Sequence, residues 1–502
     1  MSNFFKLYIN ENTKIFKKKS TMIFIIILLL AIIGSAGMAF LVNLSNNTNS
    51  DNSSMQEIAK NIVTSNEGRL EELEKSGQKN SMEYNSILSN VETYKYGIEN
   101  NIDVIFGNNN DWKSQFLREI LNARTSYLNS KYIDKLEETK LKDLETKIDK
   151  MYNILKENNF NEYINMKIEQ LDEQLKNKQI SKEQRDIFAQ TYERAKKYEI
   201  GKSTENTWKT SVNNEIQTAN LNLLNGVNSN TRMVLSVEDK EKLKNDIILN
   251  EYRLENNIPS TVNSGNMNNL RSVFESLSEE ITMGILGLFM VLTAGGILSR
   301  EFSKGTIKLL MINPAKRWKV LLAKLLTIIV ILVVFTLVLS LLTSLVGATV
   351  FSKYESHPYI EVSNGQVHST PHFAYTIIRF LTYNIDIFIY VLLAMMISTI
   401  TRSTSAAVGT SIFLYMGNSI IMLILNSLIK KEWMKFIPFN NMNLTNKIFS
   451  GEVGVVSSIN NVMMNSAVVS HITVGFALTV LSVCAILMVI TMFDSFNKRD
   501  IT

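Results

Sequence analysis

Cysteine is all but absent: Cys484 is the only one in the chain, and it lies inside an apolar run. No disulfide framework can form, and a lone thiol in such a run behaves as a small apolar side chain. Proline is nearly as scarce, five in 502 residues, so little interrupts a helix and a helical protein is expected. A nucleotide-binding loop is missing too. The stretch "EIGKST" at 199–204 ends as such a loop would, but the required earlier glycine is replaced by Lys196, and "QTYERAKKYE" before it reads as helix, not strand. No Ser/His/Asp set and no paired carboxylates stand out. The chain reads as a non-enzyme without a cofactor of its own.

Charge is unevenly spread. Residues 44–280 hold 31 Lys+Arg against 38 Asp+Glu, a net of −7, while the remaining residues hold 21 against 9, a net of +12. The basic residues cluster at the ends of apolar runs, which speaks against nucleic acid as a partner and for a lipid bilayer. Six runs are long enough, or nearly so, to cross one: Thr21–Val42, Ile281–Leu298, Val320–Phe351, Tyr375–Thr399, Ala406–Ile429 and Ile472–Phe493. The expected fold class is therefore all-α, a polytopic membrane protein with six transmembrane helices and a large helical extracellular domain.

Orientation follows the lysines and arginines. Lys14, Lys17, Lys18 and Lys19 precede the first run, six basic residues from Arg300 to Lys319 separate the second from the third, and Lys498 and Arg499 follow the last. The positive-inside rule puts both termini in the cytoplasm and residues 44–280 outside, in a multi-pass protein of the cell (plasma) membrane. Lys430, Lys431 and Lys435 oppose this pattern. Interleaved with Trp433, Phe436 and Phe439, they read as an interfacial segment. Four parts result: a cytoplasmic amphipathic helix (1–20) with Phe5, Tyr8, Ile9 and Phe16 near one face; a first span and anchor (21–43); the extracellular part (44–280); and spans two to six (281–502), with a cytoplasmic loop at 299–319 and an extracellular hairpin region at 430–470.

Within the extracellular part, Leu141, Leu144, Ile148, Met151 and Leu155 recur at steps of three and four, and Ile164, Ile168, Leu171 and Leu175 resume the pattern after a break at "ENNFN". This is a seam for burial against another helix, in a hairpin, bundle or coiled-coil-like arrangement. Two arms of about 40 residues would project roughly 60 Å. Such a domain either receives substrate or partners, or serves as a stalk.

Polar residues inside the apolar runs are few. Arg379 and Asp386 are seven apart and share a helix face. They form a candidate intramembrane polar pair, lining a polar route, unless Arg379 snorkels at the outer interface. His368 and His372 in "HSTPH" read as ordinary loop histidines, and no metal ligands are assigned.

The 299–319 loop carries the most specific pattern. Glu301, Gly305-Thr306, Leu309-Leu310, Pro314, Lys316-Arg317 and, later, Lys324 follow the order and spacing found after the second span of type-2 class ABC exporter permeases, which this chain resembles over residues 1–43 and 281–502. The segment "EWMKFIPFNNM" before the sixth run is similar to the external elements that close the pathway there. The resemblance implies a permease subunit that pairs with a second permease, as homo- or heterodimer, and with two separate ATPase subunits that bind ATP and Mg. It implies that the loop is a coupling helix, with Glu301, Gly305, Thr306, Ile307, Leu310, Met311, Pro314 and Arg317 as coupling residues. The residue types suit that role. Ile307, Leu310 and Met311 give an apolar face for a groove, Gly305 allows close backbone approach, and Pro314 ends the helix. The implied function is outward movement of an amphipathic substrate such as an antimicrobial peptide, an antibiotic (hence antibiotic resistance) or a lipid. The competing reading is a membrane-anchored scaffold, secretion or receptor protein whose external helices bind partners without ATP coupling.

Overall fold

A computed structural model describes residues 2–47, 52–103, 111–202, 207–259, 270–303, 305, 316–353, 356–363, 365–429, 431–449 and 472–498. It divides into two compact units, one of residues 1–44, 267–359 and 369–502, the other of residues 45–266 and 360–368.

The first unit is a membrane bundle. Helix α1 (Ser2–Phe16) leads into α2 (Lys19–Asn47); after the other unit follow α11 (Leu270–Ser303), α12 (Arg317–Val350), α13 (His372–Thr401), α14 (Thr404–Ile429), the short α15 (Leu444–Ile448) and α16 (Val474–Lys498). Six of these are long and apolar enough to cross a membrane: α2, α11, α12, α13, α14 and α16. Apolar composition supplies no inward pull in lipid, so the bundle order comes from packing and polar contacts. Helix α11 is central, packed on α12, α13 and α14, while α13 also meets α16. Small residues allow the closest approach. A Cβ on Gly295 of α11 would come 3.3 Å from Val408 of α14, and one on Gly287 would overlap Tyr415. The Tyr415 hydroxyl instead donates to the Gly284 carbonyl. Aromatic stacking ties the periphery in: Phe24 of α2 lies 3.8 Å, ring to ring, from Phe289 of α11. Farther along, Phe40 stacks on Phe351 at 5.1 Å, and Phe351 on Phe274 at 4.9 Å. The outward faces of α2, α14 and α16 stay apolar, with Phe413, Met416 and Ile420 of α14 exposed, as a lipid-facing surface requires.

The second run begins earlier than its hydropathy indicates. Helix α11 starts at Leu270, so Arg271, Glu275, Glu279 and Glu280 belong to the bundle and not to the polar insert. Helix α1 has two faces. Phe5, Ile9 and Phe16 are exposed, while Glu11 and Ile15 are buried where the helix lies on α12.

The second unit is helical: α3 (Asn52–Lys75), α4 (Met82–Glu99), α5 (Trp112–Tyr132), α6 (Glu138–Lys156), α7 (Phe160–Lys176), α8 (Lys182–Lys197), α9 (Thr207–Asn225) and α10 (Val237–Asn256). Each of these helices packs on the next, an up-and-down meander. The seam residues Ile148, Met151, Leu155 and Ile164 are buried in one core with Trp112, Phe116 and Ile120, and Leu171 is buried as well. The "ENNFN" break is a turn in which Asn158 takes φ 52° and Asn159 caps α7. Ser181 and Ser236 cap α8 and α10 with reciprocal capping boxes. Caps of this kind contribute about 1 kcal/mol each. They also correct one expectation. The longest helix here has 24 residues, about 36 Å, so these are stacked hairpins and not two arms of 40 residues. A two-stranded hairpin, β1 (Tyr359–Ser363) and β2 (Gln366–Thr370), precedes α13.

Candidate functional site

Glu11 is the only carboxylate before Asp51, and Lys324 the only charge between Lys319 and Lys353. The fold brings these two isolated charges together. The Lys324 ammonium, on the second turn of α12, is fully buried. It donates to Glu11 of α1 at 2.8 Å and to Glu301, near the end of α11, at 2.7 Å. Lys14 closes the group, 2.6 Å from Glu11 and 3.9 Å from Glu301. Burial alone would raise the Glu11 carboxyl, but Lys324 and Lys14 outweigh it and hold that group below its ordinary value. At the edge of the cluster, burial and the neighbouring Arg300 push the Lys18 ammonium down. A buried ammonium is tolerated only with such partners, and it fixes the position of whatever carries them. Here it fastens α1, α11 and α12 to one another at the two margins of the 299–319 loop.

Of the coupling residues inferred from sequence, Glu301, Gly305 and Arg317 are described. Thr306, Ile307, Leu310, Met311 and Pro314 lie outside the described residues. Glu301 has its cation. Arg317 donates to the Asn497 carbonyl at 3.4 Å, next to the end of α16. Gly305 adopts φ +68° with open space where a Cβ would stand, a left-handed backbone directly after α11 that favours glycine.

A second charge cluster lies near the Leu270 end of the bundle. Glu275 accepts from Arg271 at 3.0 Å and faces a ring nitrogen of His372 at 2.6 Å. One turn on, Glu279 accepts from Arg379 at 2.9 Å, and the same guanidinium donates to the Tyr375 hydroxyl. His372 is thus the first residue of α13 bound to a span, not a loop histidine, and His368 on β2 is exposed. No group of three or more His, Cys, Asp or Glu that could hold a metal occurs among the described residues.

Arg379 and Asp386 do not form a mutual pair. Seven residues put them about 10.5 Å apart along α13, and each has a tertiary partner. Arg379 is buried against Glu279. Asp386 accepts from the backbone N–H groups of Asn443 and Leu444 at 3.0 and 3.2 Å. It thereby caps the short α15 from another helix, with Asn443 at φ 68°. The 431–449 part of the expected hairpin region is two tight turns followed by α15. Part of its polar inventory is served locally: Asn441 donates to the Lys435 and Ile437 carbonyls, and Asn440 exchanges amide hydrogen bonds with Asn426 of α14. Lys447 donates to the Asn440 carbonyl, and burial pushes its ammonium down to about 8 against the pull of Asp386. Non-helical backbone beside spanning helices needs this internal service.

Comparison with known sequences then supplies a family. The profile of the family described as "protein of unknown function (DUF2705)" matches residues 249–502. The chain belongs to the DUF2705 family. The DUF2705 match takes in Glu301, Lys324 and the second charge cluster, and leaves out α1, α2 and most of the second unit. Two relatives come from Bacillus subtilis (strain 168). The uncharacterized protein YhcI is 28% identical over 266 residues, 52% of this chain and 77% of the relative. The uncharacterized membrane protein YdbK is 25% identical over 217 residues, 43% of this chain and 78% of the relative. No solved structure matches. If 217 residues are 78% of YdbK, that relative has about 278 residues, too few for six spans and an insert of the 45–266 kind. With six apolar helices and a membrane-protein relative, the chain is a multi-pass membrane protein.

Proposed function

We propose that the chain is the permease subunit of an ATP-driven exporter, with both termini in the cytoplasm and residues 45–266 outside the cell. The observation that carries the proposal is the Lys324 cluster. A loop that receives force from a separate ATPase must hand it on to the spans as one movement. The ion pairs from Lys324 to Glu301 and Glu11 join the helix before the loop, the helix after it and α1 into a single lever. Helices α11 and α12 are 34 residues each, about 50 Å, so a tilt at the loop carries the length of the bundle. Packed spans of this kind switch between discrete arrangements and do not bend. The absence of a nucleotide-loop motif in the sequence fits energy supplied by two partner ATPases holding ATP and Mg. A second permease would cover the exposed apolar face of α14. The amphipathic substrate class follows from the resemblance in the loop and from the apolar bundle.

The test is co-purification of the full chain with an ATPase subunit encoded beside it, followed by the substitution of Ile307, Leu310 and Met311 together by Asp. Loss of association and of ATP-dependent efflux is expected. Retention of both removes the coupling reading and favours the scaffold alternative.

A further inference from the structure

His372 opens α13 beside Glu275, and its imidazole has a hydrogen-bond acceptor at each nitrogen. Nε2 lies 2.6 Å from the Glu275 carboxylate of α11. Nδ1 lies 3.2 Å from the His357 carbonyl, on the segment that leads into β1. A carbonyl oxygen only accepts, an ionised carboxylate likewise, and a neutral imidazole has one N–H to give. Two acceptors around one ring therefore call for two protons on it. With one proton, a nitrogen lone pair faces an oxygen lone pair at one end of the ring or the other.

The surroundings hold both acceptors in place. The other oxygen of Glu275 accepts from Arg271 at 3.0 Å. A Cβ on Gly347 of α12 would come 2.6 Å from that same oxygen, so the glycine lets the carboxylate sit against α12. The His357 carbonyl is held from two residues on. Tyr359 stacks on Tyr375 of α13 at 4.5 Å, 4° from parallel, and Phe449 packs edge-on against the two rings at 5.4 and 5.3 Å. The charged and titratable groups around the imidazole are Glu275 and Arg271 on α11, Glu279 one turn on with its partner Arg379, the Tyr375 hydroxyl on α13, and His357 and Tyr359 on the segment before β1.

We infer that His372 is a proton-binding site that latches residues 356–359 to α11. Doubly protonated, the imidazolium donates from Nε2 to Glu275 and from Nδ1 to the His357 carbonyl, and it bridges α11, α13 and the segment before β1. Histidine is the side chain whose charge ordinarily changes between about pH 5 and pH 8. The His372 side chain is 20% exposed, so its proton exchanges with water. On deprotonation the Nδ1 proton is the one that leaves, because a hydrogen bond to a carboxylate is stronger than one to a neutral carbonyl. Nδ1 then turns a lone pair on the His357 carbonyl, and residues 356–359 are released. The inference does not depend on the transport reading; with both termini in the cytoplasm, the pH it responds to is that outside the cell.

The test uses the full chain in lipid nanodiscs, labelled with ring-15N histidine. The chain has four histidines, and His372→Gln assigns the signal. Nuclear magnetic resonance from about pH 5 to about pH 9 should show His372 as imidazolium at the acid end and as a neutral ring, protonated on Nε2, at the basic end. Hydrogen-exchange protection across residues 356–359, corrected for the intrinsic effect of pH on exchange, should fall about tenfold or more over the same transition. Glu275→Gln supplies an amide that donates to a neutral Nε2, so this variant should hold His372 neutral, protonated on Nδ1, at pH 7 and keep the segment protected throughout. His372→Gln cannot titrate and should abolish the pH dependence of protection, which keeps the test decisive if Glu275→Gln fails to fold. The inference is overturned if His372 is neutral at the acid end or still imidazolium at the basic end, if protection of 356–359 is the same at both ends, or if its pH dependence survives His372→Gln.

Discussion

Replacing Lys324 by Met tests the lever directly. Lys324 is 0% exposed and its two main partners are nearly buried, with side-chain exposures of 8% for Glu11 and 14% for Glu301. Removing the ammonium takes from both carboxylates the buried cation they share and leaves the partly exposed Lys14 beside them. Breaking a buried ion pair from one side costs about 3–5 kcal/mol. For a unit of this size each kcal/mol moves the midpoint by roughly 2–4 °C, so the expected loss is on the order of 6–20 °C. The assay is thermal unfolding of the purified full chain in detergent, followed through the membrane unit. The decisive comparison is the triple variant Lys324→Met, Glu11→Gln, Glu301→Gln. Whole buried clusters exchanged for neutral groups are often no less stable than the original, so the triple variant should recover most of the loss. In transport it should still fail, because the three helices are no longer fastened. A single variant that melts with the wild type, or a triple variant as unstable as the single, refutes the reasoning. The cluster also has a pH signature. Glu11 is held below its ordinary value, so its contribution is fully present above the unfolded carboxylate range and is lost as pH falls through the lower folded value.

Arg379→Leu should destabilise the bundle by about 3–5 kcal/mol because it strands Glu279, and Arg379→Leu with Glu279→Leu should restore much of it; equal melting of single and double variants would show that the pair is not the cause. Asp386→Leu removes the acceptor for the Asn443 and Leu444 N–H groups, so hydrogen exchange at these two amides should accelerate while α12 amides keep their protection; unchanged exchange there would refute the capping role. In the second unit, burial raises the carboxyls of Glu215 and Asp246. A raised folded value stabilises at low pH and loses that stability as pH rises through it, so this unit should gain stability on acidification from neutrality towards the ordinary carboxylate range. Glu215→Gln should raise its melting point at neutral pH and flatten the profile, and an unchanged slope would show that burial of Glu215 is not the source.

Local signals account for what the sequence disclosed. The three- and four-step seam from Leu141 to Leu175 and the Asn pair in "ENNFN" are short-range features, and they folded as they read. Glu301 and Lys324 were legible as members of one loop pattern, but their spacing did not say that the two would pair. Other parts depended on tertiary partners that spacing does not reveal. The polar "SLSEE" before the second run resembled the end of a solvated insert. Only the arrival of Arg379 and His372 from α13 makes Glu275 and Glu279 tolerable inside a span. Arg379 and Asp386 shared a face, yet a helix face fixes direction and not partner. Glu11 left one usable trace, a solitary carboxylate in a lysine-rich segment.

The Phe40–Phe351–Phe274 stack has a consequence for how the gene could have grown. Phe40 precedes the departure of the chain into residues 45–266, and Phe274 follows its return. Both clasp the same ring, so the Phe40 and Phe274 rings stand no farther apart than spacings of 5.1 and 4.9 Å laid end to end. A segment whose two ends are neighbours can be spliced in or cut out without moving its host. About a handful of residues, at roughly 3.3 Å each, would bridge the gap.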